Sequence, residues 1–287
     1  MPRPSAARYS EDPTKPGPFG KLLHDWRSAR RRSQLDLALE AEVSARHLSF
    51  LETGRAQPSR EMVLLLGSVL EVPLRERNVM LNAAGFAPAY RETELSEPAM
   101  AEMAAAVRIL LERNEPFAAM ALDRHWNLVM ANEAYLRWLA LLLGPAAIAG
   151  LVPYHVLPPP RINTVRALFD PAGLRPHVVN WDETARTLLA RVRREAALEG
   201  DAESKALLAD LLRASDLPPS PADTPPNGPQ ATVIPVEIRA GDSVLRFFTT
   251  ITTVGAPQDI TLAELRIEAF HPADGTTDAV VRAMGAA

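Results

Sequence analysis

Between Ser33 and Ser59 the chain runs Ser33-Gln34-Leu35-Asp36-Leu37-Ala38, then Val43-Ser44, then Leu48-Ser49-Phe50-Leu51-Glu52-Thr53-Gly54-Arg55 and Pro58-Ser59. This punctuation leaves little freedom of fold. Leu37, Ala38, Val43, Leu48 and Leu51 are spaced to hold two short helices at a steep angle across a tight turn. The outer face of the second helix is then left without a packing partner, free to meet something outside the chain.

The flanking sequence supplies the rest of a small helical unit. Phe19, Leu22, Leu23 and Trp26 recur at helical spacing and predict a helix from about Gly20 to Arg32. Ser33 is placed as the N-cap of the next helix with Asp36 at its exposed amides, and Ser44 repeats the arrangement for the third. Gly54 supplies a left-handed stop, Pro58-Ser59 opens a fourth helix through Leu70, and a fifth is expected from Leu74 to Ala84, ending at Gly85. Charge is divided to match. Residues 1–60 hold eleven Lys and Arg against seven Asp and Glu, a balance of +4, so the remainder carries −8 of the net −4. A basic module is joined to an acidic one, and the overall acidity does not argue against a nucleic-acid partner.

Five helices so punctuated resemble the DNA-binding domain of phage-repressor-like, XRE-type transcription regulators. Ser33-Gln34, Leu37-Ala38, Val43-Ser44, Leu48 with Leu51, Glu52, Gly54-Arg55 and Pro58-Ser59 carry the resemblance. Glu42 departs from it, standing where the family has a turn glycine. A left-handed backbone costs a non-glycine residue roughly 1 kcal/mol, so the turn is either altered or strained. In such modules the N-terminal part of the third helix enters the major groove. Ser44, Ala45, Arg46, Ser49 and Phe50 are the expected contacts, with Arg46 offering a fork to guanine and Ala45 and Phe50 apolar contact to a thymine methyl. Gln34 and Arg55 are assigned to phosphates. Glu52 would repel phosphate and is expected to fix loop geometry near Arg55 or Arg60 instead.

After Gly85, Phe86-Ala87-Pro88-Ala89-Tyr90 breaks the helical pattern, which places a linker at 86–96 between a first domain at 19–85 and a second at 97–287, with residues 1–18 a flexible tail. The second domain opens with an amphipathic helix bearing Met100, Met103, Ala104, Val107 and Leu111. Ala118–Asp123 and Trp126–Ala131 form a hairpin, and Asn132 caps a helix with Tyr135, Trp138, Leu139 and Leu142 on one face. The stretch Trp138 to Pro160 has no charged residue but is broken by glycine and proline, so it is an apolar wall or lid and not a membrane span. Helices follow at about Thr164–Phe169, after Asn180 and around Leu207–Leu212. Leu217–Gln230 is a proline-dense loop, and Thr232–Ile238, Val244–Val254 and Leu262–Phe270 are strands. Two strands, helices, then three strands predict a five-stranded antiparallel sheet with helices over one face, an α+β domain resembling PAS-like sensors.

Both parts together resemble an MmyB-type regulator, through Leu122-Asp123-Arg124 with Trp126, Ala131-Asn132-Glu133-Ala134, Asn163 with Arg166 and Phe169, and Asn180-Trp181. The resemblance implies a one-component transcription regulator, multidomain, whose sensor binds a small apolar effector such as a fatty acid, with no required cofactor. From the residues alone, Tyr135, Trp138, Leu139, Phe169, Phe247 and Ile251 are either core or cavity lining. If a cavity exists, Phe247, Thr249 and Ile251 are its floor with Met120, Leu122 and Val129 beside it. Arg166, Arg194, His155 and Asn132 are the candidates for a carboxylate head group.

The expected partners are double-stranded DNA carrying a palindromic operator, a second copy of the chain as a homodimer, and a small-molecule effector. The alternative for the second domain is a ligand-free dimerisation or protein-interaction module. Catalysis is not expected: there is no cysteine, Lys205 is the sole lysine beyond Lys21, and the six histidines show no metal-ligand spacing. The polar, proline-containing first 19 residues do not resemble a secretion signal, so a cytoplasmic protein without membrane association is expected.

Overall fold

A computed structural model describes residues 17–199, 201–217 and 236–285. Nearly all of the expected N-terminal tail, most of the proline-dense loop and the start of the strand expected from Thr232 lie outside the described residues. The chain forms two compact units, one comprising residues up to Glu92 together with Ala256–Ala263, the other comprising Thr93–Gly255 and Glu264 onward.

The first unit contains α1 (Pro18–Ala29), α2 (Gln34–Glu40), α3 (Ala45–Glu52), α4 (Arg60–Val69) and α5 (Leu74–Ala83). Each starts or stops where the chemistry dictates. The Ser33 hydroxyl accepts from the Asp36 amide while the Asp36 carboxylate accepts from the Ser33 amide, a reciprocal cap at 3.1 and 2.9 Å. Ser44 and Ser59 accept from the amides of His47 and Met62 in the same way. Leu23, Leu37, Leu48 and Leu66 are fully buried at the centre. Gly20 lets α1 approach the end of α3 so closely that a Cβ there would collide with the carbonyls of Leu51 and Glu52.

Four of these helices close in the same fashion, with an amide beyond the end reaching back to a carbonyl of the last turn: Arg32 to Arg27 at 3.1 Å, and Val43 to Ala38, Val72 to Gly67 and Phe86 to Leu81, each at 2.9 Å. The closure needs a left-handed residue. Gly85 supplies one without strain, but Arg31 (φ 54°), Glu42 (φ 55°) and Glu71 (φ 49°) adopt the same conformation with a side chain attached. The turn at Glu42 therefore takes the strained form of the two that the sequence left open.

Glu52 sits elsewhere than expected. It is buried and accepts from Arg27 (2.6 and 3.0 Å) and from Gln34 (2.7 Å), linking α1, α2 and α3, and not from Arg55 or Arg60. The sequence suggested neighbours along the chain, whereas the packing of α1 on α3 brings Arg27 across. Burial pushes the Glu52 carboxyl up, but the bonds from Arg27 and Gln34 and the charge of Arg27 outweigh it and hold its pKa below the ordinary value.

In the second unit, α6 (Ala101–Glu112) leads into β1 (Ala119–Leu122) and β2 (Leu128–Ala131); α7 (Glu133–Leu143), α8 (Thr164–Phe169), α9 (Trp181–Glu199) and α10 (Ala202–Ala214) follow, then β3 (Val236–Ala240), β4 (Ser243–Thr253), β5 (Arg266–Pro272) and α12 (Gly275–Gly285). The sheet order is β2-β1-β5-β4-β3, antiparallel throughout, with Met120 opposite Ala131 on one side and Glu268 on the other. This is the five-stranded α+β architecture expected from the sequence. Buried Asn132 fastens its β1–β2 side to α7: its side chain accepts from the amides of Ala119 and Tyr135 and donates to the carbonyl of Phe117. Asn163 and Asn180 cap or brace α8 and α9 and tie them to the β1–β2 turn and to β3 respectively.

Several elements differ from expectation. The strand expected from Leu262 starts at Arg266, because Asp259 caps a short helix, α11 (Ile260–Glu264), through the Thr261 amide. α12 has no counterpart in the sequence reading; Asp274 caps it, and Thr277 accepts from the Arg246 amide of β4. The uncharged stretch before Pro160 is the apolar wall of the two readings: Trp138, Leu139 and Leu157 are buried in the core and Ile148 and Leu151 pack against it. Beyond α7 it lies along β2, where the amides of Tyr154 and Leu157 reach the carbonyls of Ala131 and Val129, covering a sheet edge.

Replacing Glu42 or Glu71 by glycine should relieve the left-handed strain and stabilise the first unit by about 0.5–1 kcal/mol each, measured by chemical denaturation; an unchanged midpoint would remove strain from the account. Glu52→Ala leaves Arg27 buried without its carboxylate and should cost about 3 kcal/mol. Because its folded pKa is depressed, the stabilisation from Glu52 is present above the ordinary carboxylate pKa and lost as pH falls towards the folded value. Glu52→Gln should therefore flatten the acid limb of the stability curve.

Candidate functional site

The first site is the outer face of α3. Its inner face is spent on the core through Leu48 and Leu51, which turns Arg46 to solvent and leaves Ala45, Ser49 and Phe50 half-exposed. The Arg46 guanidinium lies 5.3 Å from the centre of the Phe50 ring, so a flat aromatic surface orients a planar cation. Arg55 is exposed just beyond α3. Ser44 spends its hydroxyl on the helix cap, and Gln34 spends its amide on Glu52, although both stand at helix starts where backbone amides face outwards. The face offers an arginine fork, a small polar group and two apolar contacts within about two turns of helix, an arrangement suited to base edges in a groove.

The second site is a cavity of about 220 Å³ in the second unit, between the sheet and the helices that cover it. Met120 of β1, Phe247 and Thr249 of β4, and Glu268 and Phe270 of β5 form its sheet side. Tyr135, Trp138 and Leu139 of α7, Thr164 and Val165 of α8, and Thr184, Leu188 and Arg191 of α9 face them. The aromatic wall is packed edge to face, with Trp138 and Phe247 centroids 5.6 Å apart at 86° and Phe247 and Phe270 6.4 Å apart at 82°. These rings hold one another, and the space beside them stays open.

Of the residues picked out in the sequence, Met120, Tyr135, Trp138, Leu139, Phe247 and Thr249 border this cavity. The others lie off its wall. Leu122, Val129 and Phe169 are closed into the core, Phe169 packed edge to face with Trp181 at a centroid distance of 4.9 Å. Asn132 is committed to backbone partners. Ile251 is 40% exposed: it shares the strand face of Phe247 and Thr249 but lies beyond the end of the cavity wall. His155 is exposed, its Nδ1 2.9 Å from the carbonyl oxygen of Pro153, and Arg166 pairs with Asp210. Arg194 is exposed on α9.

The sequence reading missed the charged wall. Glu268 is only 8% exposed, and burial raises its pKa; Arg191, a hydrogen bond with Thr249 and Arg266 oppose that shift, and Glu195 adds to it. Burial, and then the charge of Glu268, raise the Tyr135 phenol well above its ordinary value. Behind this wall Glu195 accepts from the Trp126 indole (2.9 Å), Arg191 (3.0 Å) and Arg266 (2.6 Å), while both guanidinium groups stack on Trp126 at 4.4 and 5.0 Å. A signal was available: Glu268 stands between Ile267 and Ala269 in an apolar strand, two residues from Phe270, where a solvated carboxylate has no place.

Among the described residues, no group of His, Cys, Asp or Glu is arranged to hold a metal, and no helix is long and apolar enough to cross a membrane. No curated protein matches the chain. Two family models do. The helix-turn-helix domain matches residues 18–80, which encloses the α3 face, and the MmyB-like transcription regulator ligand binding domain matches residues 103–284, which encloses the whole cavity. The chain is a transcription regulator of helix-turn-helix type and belongs to the family of the MmyB-like transcription regulator ligand binding domain.

Proposed function

We propose that the regulator is switched by a small, mostly apolar molecule held in the cavity of its second unit, of the lipid class to which a fatty acid belongs, and that it binds a palindromic operator as a homodimer. The observation that carries the reading is the cavity itself. A core would be filled at this position, yet about 220 Å³ is left between aromatic and aliphatic walls that meet a small cluster of polar groups. At protein packing density that space holds an apolar chain of roughly ten carbons.

The chain's connectivity supports a response at the DNA. β4 and β5, which carry Thr249 and Glu268, are joined through Ala256–Ala263, and that segment belongs to the unit containing α3, where the Ile260 amide donates to the Arg91 carbonyl. A ligand that favours one arrangement of β4 and β5 therefore has a covalent route to the DNA-binding unit, and it shifts DNA affinity by the difference in its affinity for the two arrangements. Two α3 helices of a dimer would read half-sites about 34 Å apart.

Mass spectrometry of an organic extract of the purified full chain should yield a stoichiometric lipid, and Leu139→Trp, which fills the cavity, should lose it while keeping the native circular dichroism spectrum. Equal lipid in both proteins would place the ligand elsewhere. At fixed salt, Arg46→Ala should weaken binding to a selected operator by about 1–3 kcal/mol and relax preference at one base pair. A uniform loss across all sequences would make Arg46 a phosphate contact instead.

A further inference from the structure

The cavity has a direction. Val178 bridges Ile238 of β3, which stands opposite Leu245 of β4, whereas Glu268 of β5 stands opposite Ile251. Leu245 and Ile251 are six positions apart, roughly 20 Å along the strand at about 3.3 Å per residue. His177 and Ile238 therefore line one end, and Glu268, Trp126 and Arg191 the other. Phe247 and Leu188 are part of the wall between them. An elongated, largely apolar space with an arginine at one end suits a linear amphiphile.

Arg191 has donors to spare. Its Nε donates to Glu195 at 3.0 Å, and its guanidinium lies 4.4 Å from the centre of the Trp126 ring, two contacts that fix the plane of the group. Among the described residues, none accepts from its two terminal nitrogens. Arg266 differs: one terminal nitrogen is given to Glu195 and the other to the Arg124 carbonyl, and it does not border the cavity. We propose that Arg191 anchors the head of the effector, a carboxylate whose oxygens accept from those terminal nitrogens, and that the tail runs past Phe247 and Leu188 towards Ile238. The proposal rests on the cavity being the effector site, and it narrows the lipid class to acids. Glu195 and Trp126 are positioning residues, since they hold the fork in plane before a ligand arrives. Glu268 lies beside the same cation, and the assignment does not turn on its charge. A protonated Glu268 donates to the bound carboxylate, and an ionised one shares the proton of a ligand that enters as the acid. In both cases two carboxyls hold one proton and bring a single negative charge to Arg191.

The test uses the full chain, stripped of bound lipid, and two probes of one length, decanoate and decanol, titrated in neutral buffer with tryptophan fluorescence as the readout. The native protein should bind decanoate at least about tenfold more tightly than decanol. Arg191→Gln should lose that margin while still binding decanol, which reports an intact cavity, and Arg191→Lys should keep part of it. Equal affinities in the native protein, or a margin that Arg191→Gln leaves unchanged, would overturn the anchor while leaving the cavity a lipid site. A margin lost in His177→Gln and kept in Arg191→Gln would overturn it too, seating the acid at the opposite end. If Arg191→Gln does not fold, the native comparison and Arg191→Lys decide. Binding of neither probe by the folded native protein would overturn the reading of the cavity as the effector site, and the anchor with it.

Discussion

The carboxylate of Glu195 holds the second unit open. It accepts from the Trp126 indole, from Arg191 of its own helix and from Arg266 of β5, so one side chain ties α9 to the β1–β2 turn and to the sheet. Trp126 is held by its indole bond to Glu195 and by both guanidinium groups lying against its ring. The consequence is geometric: α9 is fixed at its distance from the sheet by polar contacts, and the aromatic residues between them pack against one another without filling the gap. A purely apolar contact between α9 and the sheet would have closed by collapse. The polar staple braces this end of the cavity, while Ala185, Leu189 and Val192 pack the rest of α9 into the core.

The first unit is built on the opposite principle. Its leucines fill the centre, and polar side chains serve the helix ends, where serine caps start helices and left-handed residues stop them. This completeness inside leaves the outer face of α3 with nothing to do for the fold. Arg46, laid over Phe50, stays exposed on that face, while Glu52, Arg27 and Gln34 hold α3 in place from behind.

Much of this was legible in the sequence, for physical reasons that differ by element. Ser33, Ser44 and Ser59 announced helix starts because a cap is a local interaction, and Asn132 announced α7 in the same way. The strands were legible because short apolar or β-rich stretches bounded by turn residues are also local features. Glu52 was legible as structural, but its partners were not, since Arg27 reaches it through helix packing. The short helix before β5 was hidden because Leu262, Ala263 and Leu265 form an apolar run that suits a strand equally well, and only the Asp259 cap decides. On the cavity, aromatic residues of α7 and β4 could be named from spacing. Glu268, Arg191 and Glu195 could not be joined from spacing, because three separate elements bring them together.

Under the proposed function, occupancy of this cavity is felt at the α3 face. The most direct measurement is the affinity of the full chain for operator DNA, selected from a random pool, with the cavity stripped and then reloaded with decanoate. The account predicts a change of at least about fivefold, the lower end of ordinary coupling between sites, that disappears in Leu139→Trp. Equal affinities with the cavity demonstrably empty and demonstrably filled would contradict it.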